Sequence, residues 1–580
     1  MRNIFVFSLI VCITIGCAAP ELMENTDFRA INYANASESD PLPGWVLSEV
    51  KKYPIETFLF EIGWSHGTEK GAFENALAEA RNRIATRILK KVRYIVLSND
   101  SAQYDMVREH YSAVLEHYCL ESRELPALQL GGLSERNLSV DAARTDQHTY
   151  ALVYVKRDEL KQLYAKQEEK LHREINRILE TAQNAENALE IKDAAKIYLQ
   201  TYPLYEALKE TEIIQIGAEY EPNFSDALTR LENFARNTSG GDALMKSHRQ
   251  VIKRVKELDP KVIASLVDVA GTIRSQFEIQ QIGSLSGQVQ LEPLTYRHDG
   301  LICHFSLDFS NAIQKQFKWH FVHRKRGFKR KNFNINMTDQ GERYRFSGSC
   351  WQNGDEITIR ETLRDLHTGE FLASSVVSFL NSQLRPPIVL TPPNYEEFSE
   401  YKKPFKPQYI VQDSNSRKPK NSEPPMYQPS TVGGLEVDVW TDRGRDPVYY
   451  IRGETMKVFG RVNQPAYLRL LYILADRKYT LLQGNYYIDP SRVNTDVEIG
   501  EFVCAPPFGA EILIVAARTE KFPPIQTYEE NGYFFLVDQD PESAARNFRG
   551  MKAIHGNNDQ QQSSSFHHNE AQVVVVTMEK

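Results

Sequence analysis

The 580-residue sequence contains few features that would indicate an enzyme or a metal protein. Its 6 cysteines form no CxxC pair, and the 4 that follow the N-terminal apolar run are widely spaced, so no zinc site is predicted. GxSxG, GxxxxGK[ST], HExxH and GxGxxG patterns do not occur. The net charge of -7 also argues against a general attraction to phosphate backbones. We therefore expect no catalysis, no metal, no cofactor and no nucleic-acid partner.

Long apolar runs are also lacking, with one exception at the N-terminus. Residues 4–15 are nearly all apolar, Arg2 precedes them, and small residues follow. This run is too short to cross a hydrocarbon layer of about 30 Å as a permanent helix. It predicts a cleaved export signal over residues 1–16.

The end of the apolar run, residues 14–17 (TIGC), resembles a bacterial lipobox, with Thr14 where Leu is commoner. The resemblance implies that Cys17 carries palmitate-type acyl chains, which together anchor stably where a single chain would not. Ala18 after the cysteine resembles lipoproteins that are sorted to the outer membrane and face the periplasm. The alternative is an ordinary secretory peptide that is cut near Ala18 or Ala19, with Cys17 removed.

Export would place Cys119, Cys303, Cys350 and Cys504 in an oxidising compartment where disulfides persist. Cys303 and Cys350 are the only pair close enough in sequence to share one domain. They are either a disulfide or buried free thiols.

Composition and periodicity predict a multidomain α+β fold: a mixed α/β N-terminal domain, a helical middle, an αβ strand-meander unit and a C-terminal β-sandwich-like domain after a Pro-rich linker. The predicted segments are the signal peptide 1–16, a lipidated tether 17–42, the α/β domain 43–157, the helical region 158–275, the αβ domain 276–384, the linker 385–434, the β-rich domain 435–549 and a mobile tail 550–580 with a possible terminal edge strand.

Local patterns support these segments. Alanines and isoleucines recur every four residues between 72 and 88, which predicts a helix with a small-residue face that packs on a sheet. The turn at residues 353–355 (NGD) between two alternating runs predicts a hairpin. Tyr202-Pro203 is expected to interrupt the helical region.

Residues 43–46 (PGWV), 53–54 (YP), 60–63 (FEIG) and 150–153 (YALV) resemble the LPP-20 type of lipoprotein domain. The resemblance implies an exported domain that belongs to envelope or flagellar-associated assemblies and has no known catalysis.

Residues 292–296 (EPLTY), 346–348 (FSG) and 364–369 (RDLHTG) resemble the CsgG and FlgO families of outer-membrane-associated lipoproteins. These residues are signals of fold and imply no particular site.

Residues 450–454 (YIRGE), 466–472 (AYLRLLY) and 505–511 (APPFGAE) resemble the domain-of-unknown-function family numbered 4384. The chain departs from many members at residues 482–485 (LQGN), which leaves the role of that loop open. The family has no established activity, and its attachment to varied partners implies recognition or scaffolding.

The densest charge in the chain is a basic segment at residues 315–331, interleaved with aromatic side chains. Its cations would bind anionic lipid heads, lipopolysaccharide or peptidoglycan; the alternative is a solvated face whose aromatics enter the core. His320 and His323 lie in the same segment, but two histidines alone are weak metal ligands. The cations are Lys315, Lys318, Arg324, Lys325, Arg326, Lys329, Arg330 and Lys331.

Three functions follow from these features. The first is a non-catalytic envelope lipoprotein that acts as a scaffold or accessory factor for an outer-membrane, secretion or surface-appendage assembly, with envelope proteins as partners. The second is a module that binds cell-wall glycan or lipopolysaccharide through the basic segment. The third is a hydrolase whose acids the sequence does not reveal.

Overall fold

The computed structural model confirms the predicted mixed α+β fold. Cys17 and the tether lie outside the part of the chain that it describes. The described residues are 51–66, 70–97, 130–137, 148–220, 227, 248–280, 287–296, 301–317, 321–322, 342–401, 435, 437–444, 448–493, 495–530, 532–549 and 568–579.

The first sheet is antiparallel and packs on one long helix. Its strands are β1 (Phe58–His66), β2 (Ser134–Asn137) and β3 (His148–Lys156), in the order β1-β3-β2. Helix α1 (Lys70–Leu97) lies against β1 and β3 through the predicted small-residue face. A Cβ atom at Gly63 would lie 1.8 Å from the Ala76 carbonyl oxygen, so the close approach requires glycine.

Five helices whose bounds are described follow in the predicted helical region. The helical run is interrupted at residues 200–201, as predicted, and Tyr202-Pro203 starts the next helix, because a proline in the first turn removes only an N–H that has no partner inside the helix. That helix, α4, is buried between α1, α2 and the strand β9 described below. The helices are α2 (Arg157–Asn187), α3 (Ile191–Leu199), α4 (Tyr202–Ala218), α5 (His248–Leu258) and α6 (Leu266–Ile279).

The middle sheet contains the predicted three-stranded meander. Strands β7, β8 and β9 are antiparallel, β4 runs parallel to β7, and the order is β6-β4-β7-β8-β9, with β5 also paired to β7. Gly354 has φ +62 in the β7–β8 turn, which fits the predicted hairpin. The elements are β4 (Gln288–Leu291), β5 (Thr295–Tyr296), α7 (His304–Gln316), β6 (Phe321–Val322), β7 (Glu342–Asn353), β8 (Glu356–Asp365) and β9 (Phe371–Leu380).

The start of the predicted linker differs from the expectation of an extended spacer. Residues 385–401 pack into the core through Leu390, Phe398 and Tyr401, and they include helix α8 (Tyr395–Tyr401). Proline density alone predicted extended chain, but the apolar side chains between the prolines are sufficient to bury this part. Residues 402–434 of the linker lie beyond the described part.

The C-terminal domain consists of two sheets that face each other, as expected for a sandwich. The smaller sheet has the order β10-β12-β15, and the larger has the order β11-β19-β16-β13-β14-β18-β17. The elements are β10 (Val437–Thr441), β11 (Val448–Ile451), β12 (Thr455–Val462), β13 (Ala466–Ile473), β14 (Tyr479–Ile488), β15 (Val497–Val503), β16 (Ala510–Arg518), β17 (Thr527–Glu530), β18 (Tyr533–Leu536), α9 (Pro541–Arg549) and β19 (His568–Met578).

The last strand was predicted as an edge strand in a mobile tail, and that prediction is wrong. β19 lies inside the larger sheet, antiparallel to β16 and parallel to β11. Its four consecutive valines, residues 573–576, are buried on both faces, as is typical of a central strand. The position of a strand at the end of a sequence does not determine its position in the sheet.

Arg469 on β13 is enclosed between the larger sheet and α9. Its guanidinium donates to the carbonyl oxygens of Asn547 and Phe548 at the end of α9, each at 3.2 Å, and lies 4.5 Å from the centre of the Phe522 ring. Burial and the nearby Arg518 lower the pKa of Arg469 to about 10. This arginine therefore stabilises the C-terminal end of a helix, where the dipole favours a cation.

Candidate functional site: two buried polar junctions

The site residues predicted from the sequence fall mostly beyond the described part of the chain. Cys17 lies there, as do Lys318 and the six cations from Arg324 to Lys331. Lys315 is described, and it is exposed in the last turn of α7. Lipidation and anionic-surface binding therefore stay predictions.

Three of the cysteines are free and buried, which fits the alternative of buried thiols. Burial raises the pKa of Cys303 and of Cys350, and the neighbouring Cys303 thiol adds to the effect at Cys350. A thiol with a raised pKa is a poor nucleophile. Burial also raises the pKa of Glu361 well above its usual range, which favours the neutral carboxyl group inside the middle sheet.

A cluster of buried ionisable side chains, here called the charged junction, joins the helical region to the meander. It consists of Glu206, Lys209, His248 and Arg360. Glu206 on α4 forms an ion pair with Arg360 on β8. The Glu206 carboxylate also accepts from Lys209 Nζ at 3.5 Å and from the Ser374 hydroxyl at 3.4 Å. All four members are buried, and the Glu206 carboxylate is shared by the two cations, Lys209 and Arg360.

His248, the first residue of α5, is held in this junction by two aromatic rings. Its ring stacks on Tyr205 at 5.0 Å and meets the edge of Tyr202 at 4.9 Å. The Lys209 ammonium lies 3.3 Å from His248 Nδ1, so Nδ1 accepts and the proton resides on Nε2. Burial, together with the Lys209 charge, lowers the pKa of His248 well below its usual range, and the ring is neutral.

A second ion pair lies beside the charged junction. Arg364 Nη2 donates to Glu210 at 2.7 Å, its Nε donates to the Gly369 carbonyl at 2.8 Å, and its guanidinium lies 4.7 Å from the centre of the Phe371 ring. Burial raises the pKa of Glu210, and the Arg364 charge opposes that rise. The pair attaches α4 to the loop that connects β8 and β9.

The edge strand of the meander, β9, is covered by the side chain of Gln280 close to the charged junction. The Gln280 side-chain amide accepts from the Ser374 N–H at 2.9 Å and donates to the Ser374 carbonyl at 2.7 Å. These two bonds replace those that a neighbouring strand would form. The side chain therefore blocks strand addition at this position of β9.

A second cluster, here called the amide junction, joins residues 394–401, in the first part of the predicted linker, to the C-terminal domain. It consists of Asn394, Tyr401, Ala510 and Glu511. Asn394 Oδ1 accepts from the Ala510 N–H at 2.8 Å, and its Nδ2 donates to the carbonyls of Ala510 and Ala475 at 2.9 and 3.0 Å. The Tyr401 hydroxyl donates to the Ala510 carbonyl at 2.6 Å. The amide junction is thus built from neutral donors and acceptors.

The amide junction explains part of the sequence at residues 505–511 (APPFGAE). A Cβ atom at Gly509 would lie 2.4 Å from Asn394 Oδ1, so a side chain there would displace the amide. Glu511 accepts from the Tyr472 hydroxyl at 2.8 Å and from the Ala475 N–H at 3.2 Å. Burial raises the pKa of Glu511 to about 8, so the carboxyl group is neutral at pH 7.

The sequence analysis did not identify either junction. The signal for the amide junction was present in the apolar and aromatic side chains among the linker prolines. The partners in the charged junction come from segments far apart in sequence, and local patterns carry no information on such pairs. Within the described segments, no group of three or more His, Cys, Asp or Glu side chains is placed to hold a metal ion. The described helices include none with the length and apolarity needed to cross a bilayer.

No family model matches the chain, and no curated protein matches it. The three family resemblances therefore stay predictions. Similar solved structures include the LpoB C-terminal domain from Salmonella enterica, at 12% identity and a TM-score of 0.15, covering 20% of this chain and 98% of that one. The LpoB C-terminal domain from Escherichia coli is 13% identical, with a TM-score of 0.15, and covers 19% of this chain and 98% of that one.

The secreted protein HP1454 from Helicobacter pylori is also similar, at 10% identity and a TM-score of 0.14, covering 55% of this chain and 85% of that one. TM-scores this low support no argument about the fold or function of this chain.

Proposed function

We propose that the chain is a non-catalytic, lipid-anchored envelope protein that serves as a scaffold or accessory factor for an outer-membrane, secretion or surface-appendage assembly. The export signal and the TIGC run at residues 14–17 support exposure to the envelope and anchoring through Cys17. The lack of catalytic motifs supports a role in binding.

The observation that best supports scaffolding is that buried polar side chains hold separate segments of the chain together. At both junctions, these side chains hold one segment of the chain against another: α4 against the meander, and residues 394–401 against the C-terminal domain. Segments joined in this way present their outer surfaces in fixed positions, which is what a protein with several simultaneous partners requires.

Anchoring is tested by mass spectrometry of the mature N-terminus and by Cys17→Ser. The expected mature chain begins at an acylated Cys17, and the Cys17→Ser chain appears in the soluble envelope fraction. Cys12→Ser is the matched control, because Cys12 lies inside the signal and its loss leaves the lipobox intact. An intact Met1 on a cytosolic chain, or a Cys17→Ser chain that stays in the membrane, would contradict the proposal.

Scaffolding is tested by co-purification after extraction in mild detergent. A scaffold should bring down one or more envelope proteins in stoichiometric amounts, and recovery of the chain by itself would contradict this role. Release of soluble fragments from purified cell wall by the chain would contradict its non-catalytic character.

The charge of the basic segment favours a second candidate, binding of cell-wall glycan or lipopolysaccharide. Purified cell wall should then retain the chain, and neutralising Lys325 and Arg326 or adding salt should weaken retention. Lys166→Gln with Lys170→Gln, two exposed lysines on α2, is the matched control. Equal loss in both variants would rule out a specific role for the segment.

A further inference from the structure

The larger sheet of the C-terminal domain ends in a strand with one open side. β17 pairs with β18, and no other described strand lies beside it. We call the unpaired side of β17, along Thr527–Glu530, the open edge. A strand edge without a partner presents N–H and C=O groups that can pair with another chain.

The register of the hairpin shows which backbone groups face the open edge. The Val537 N–H donates to the Gln526 carbonyl at 3.1 Å, so Gln526, just before β17, is a hydrogen-bonded position. Because hydrogen-bonded and non-hydrogen-bonded positions alternate in an antiparallel pair, Tyr528 also directs its backbone groups at β18. The N–H and C=O groups of Thr527 and Glu529 therefore point away from β18, and no described group binds them.

The edge strands β9 and β17 differ in how their backbones are covered. At β9, the Gln280 side chain occupies the N–H and C=O groups of Ser374. No described side chain does the same at β17. The fold thus leaves open at β17 the kind of position that it blocks at β9.

Apolar side chains are exposed beside the open edge. Tyr528, Phe534 and Val537 are 43%, 51% and 56% exposed. The Tyr528 ring stacks on that of Phe535, a residue of the core between the two sheets, with 5.5 Å between the ring centres. A strand added at the open edge would therefore continue an apolar surface that begins in the core.

The charge around the open edge has one sign. Residues 520–545 contain six acids and a single basic residue. Glu529 and Glu530 are exposed on β17, and neither forms an ion pair with any described residue. Lys478, which lies near β18, is already paired with Asp476 at 3.3 Å. Because like charges on opposed strands are destabilising, these acids disfavour pairing of β17 with a second copy of itself and favour a basic strand.

The two faces of β17 favour different side chains in a partner. Tyr528 lies on one face and Glu529 on the other, because side chains alternate along a strand. A strand paired with β17 would therefore place apolar side chains beside Tyr528 and basic ones beside Glu529, in alternation. The methylene groups of long basic side chains would also cover Phe534, the residue opposite Glu529 in β18.

We propose that the open edge binds an extended segment of another envelope protein in which apolar and basic residues alternate, and that this segment adds a further strand to the larger sheet. Backbone hydrogen bonds supply the affinity of such a contact, and the alternating side chains supply its specificity. The inference rests on the proposed function, a scaffold with envelope partners, and assigns it one surface and the chemistry of one partner.

The test uses the full-length chain and the synthetic peptide KVKVKVKVKV, with EVEVEVEVEV as the control peptide, in isothermal titration calorimetry. We expect saturable binding of the lysine peptide and none of the glutamate peptide. Absence of binding by the lysine peptide, or equal binding of both, would overturn the proposal.

Charge reversal tests whether the acids of β17 carry the contact. Glu529→Lys/Glu530→Lys should weaken binding of the lysine peptide about ten-fold or more. Glu56→Lys/Glu180→Lys reverses two exposed acids elsewhere and should bind as the parent chain does. The same loss in both double variants would show that only net charge matters, which would contradict a specific site.

Backbone pairing is tested by hydrogen exchange resolved to single amides. The lysine peptide should slow exchange at the N–H groups of Thr527 and Glu529 and leave that of Tyr528, already bonded to β18, unchanged. Protection of Thr527 and Glu529 without peptide would mean that the chain or a second copy already fills the open edge, and it would overturn the proposal.

Peptides methylated on their backbone nitrogens provide a second test of strand addition. An added strand directs only every second N–H at β17. Methylation of one set of residues, either the lysines or the valines, should therefore abolish binding, and methylation of the other set should leave it within about two-fold. Equal effects of both methylations would contradict strand addition.

Failure of this proposal is separable from failure of the scaffold. A lysine peptide that does not bind would remove the open edge as a docking surface, while stoichiometric co-purification would still support a scaffold that binds through other surfaces. A chain recovered without partners would contradict the scaffold and leave the peptide measurements unchanged.

Discussion

The charged junction and the amide junction perform similar tasks with opposite chemistry. The first buries Glu206, Arg360 and Lys209 around a neutral His248, so its groups depend on one another for charge compensation. The second uses an amide, a phenol and a neutral carboxyl group against backbone atoms. Removal of one partner from the charged junction should therefore lower the free energy of unfolding strongly. A change of pH should alter the free energy of unfolding mainly through the amide junction.

The largest expected effect is that of Arg360→Met, which leaves the buried Glu206 carboxylate without its main partner. We expect the free energy of unfolding to fall by about 3–5 kcal/mol in denaturant titrations. The triple variant Arg360→Met/Glu206→Met/Lys209→Met should regain most of the loss, because none of the charges of the junction remains. A single variant as stable as the parent would show that the junction does not depend on charge compensation.

Glu511→Gln should instead stabilise the protein at neutral pH. The folded pKa of Glu511 is about 8, above the unfolded value near 4.3, so the group costs stability above pH 4 and progressively more up to pH 8. The variant should exceed the parent by roughly 3 kcal/mol at pH 7, and the difference should vanish near pH 4. Urea titrations across this pH range test it, and a difference that does not change with pH would contradict a neutral Glu511.

Asn394→Ala should have a smaller effect, because it removes hydrogen bonds without leaving a buried charge. The backbone groups of Ala510 and Ala475 lose their amide partner, and we expect a loss of about 2–3 kcal/mol. Asn184→Ala, at an exposed position on α2, is the control and should change stability by less than about 0.5 kcal/mol. A similar change in both variants would mean that residues 394–401 do not contribute to stability.

Leu189→Gly gives the smallest effect and serves as a reference outside both junctions. Leu189 has φ +62 in the turn after α2, and glycine adopts positive φ without strain, so the free energy of unfolding should increase by about 1 kcal/mol and the melting temperature should rise accordingly. Ala188→Gly is the matched control, because Ala188 has φ -80 and gains nothing from glycine. If Leu189→Gly lowers the melting temperature, leucine has a folding role in that turn.

Local periodicity predicted much of the fold. The small-residue face of α1, the hairpin at Gly354 and the two-sheet C-terminal domain all follow from spacing within one segment. The position of β19 was predicted incorrectly, because its place near the end of the sequence was given more weight than the tertiary contacts that decide it.

The residues of the candidate site were much harder to predict from the sequence than the fold. Glu206 and Arg360 belong to different segments, and nothing in the local pattern around either indicates that they meet. Asn394 was assigned to a spacer because its neighbours are prolines. Cys17 and the basic segment were identified by local signals alone, and they stay predictions.

The central position of β19 has a consequence for how this protein is made. Neighbouring strands β11 and β16 lack their partner until residues 568–578 have been synthesised and delivered, so the larger sheet closes only after nearly the whole chain is available. A premature stop codon before residue 568 would leave two open strand edges inside the domain, and these edges favour aggregation. Under the proposed export, late closure would keep the C-terminal domain unfolded during translocation, the state in which a chain passes through a narrow export channel.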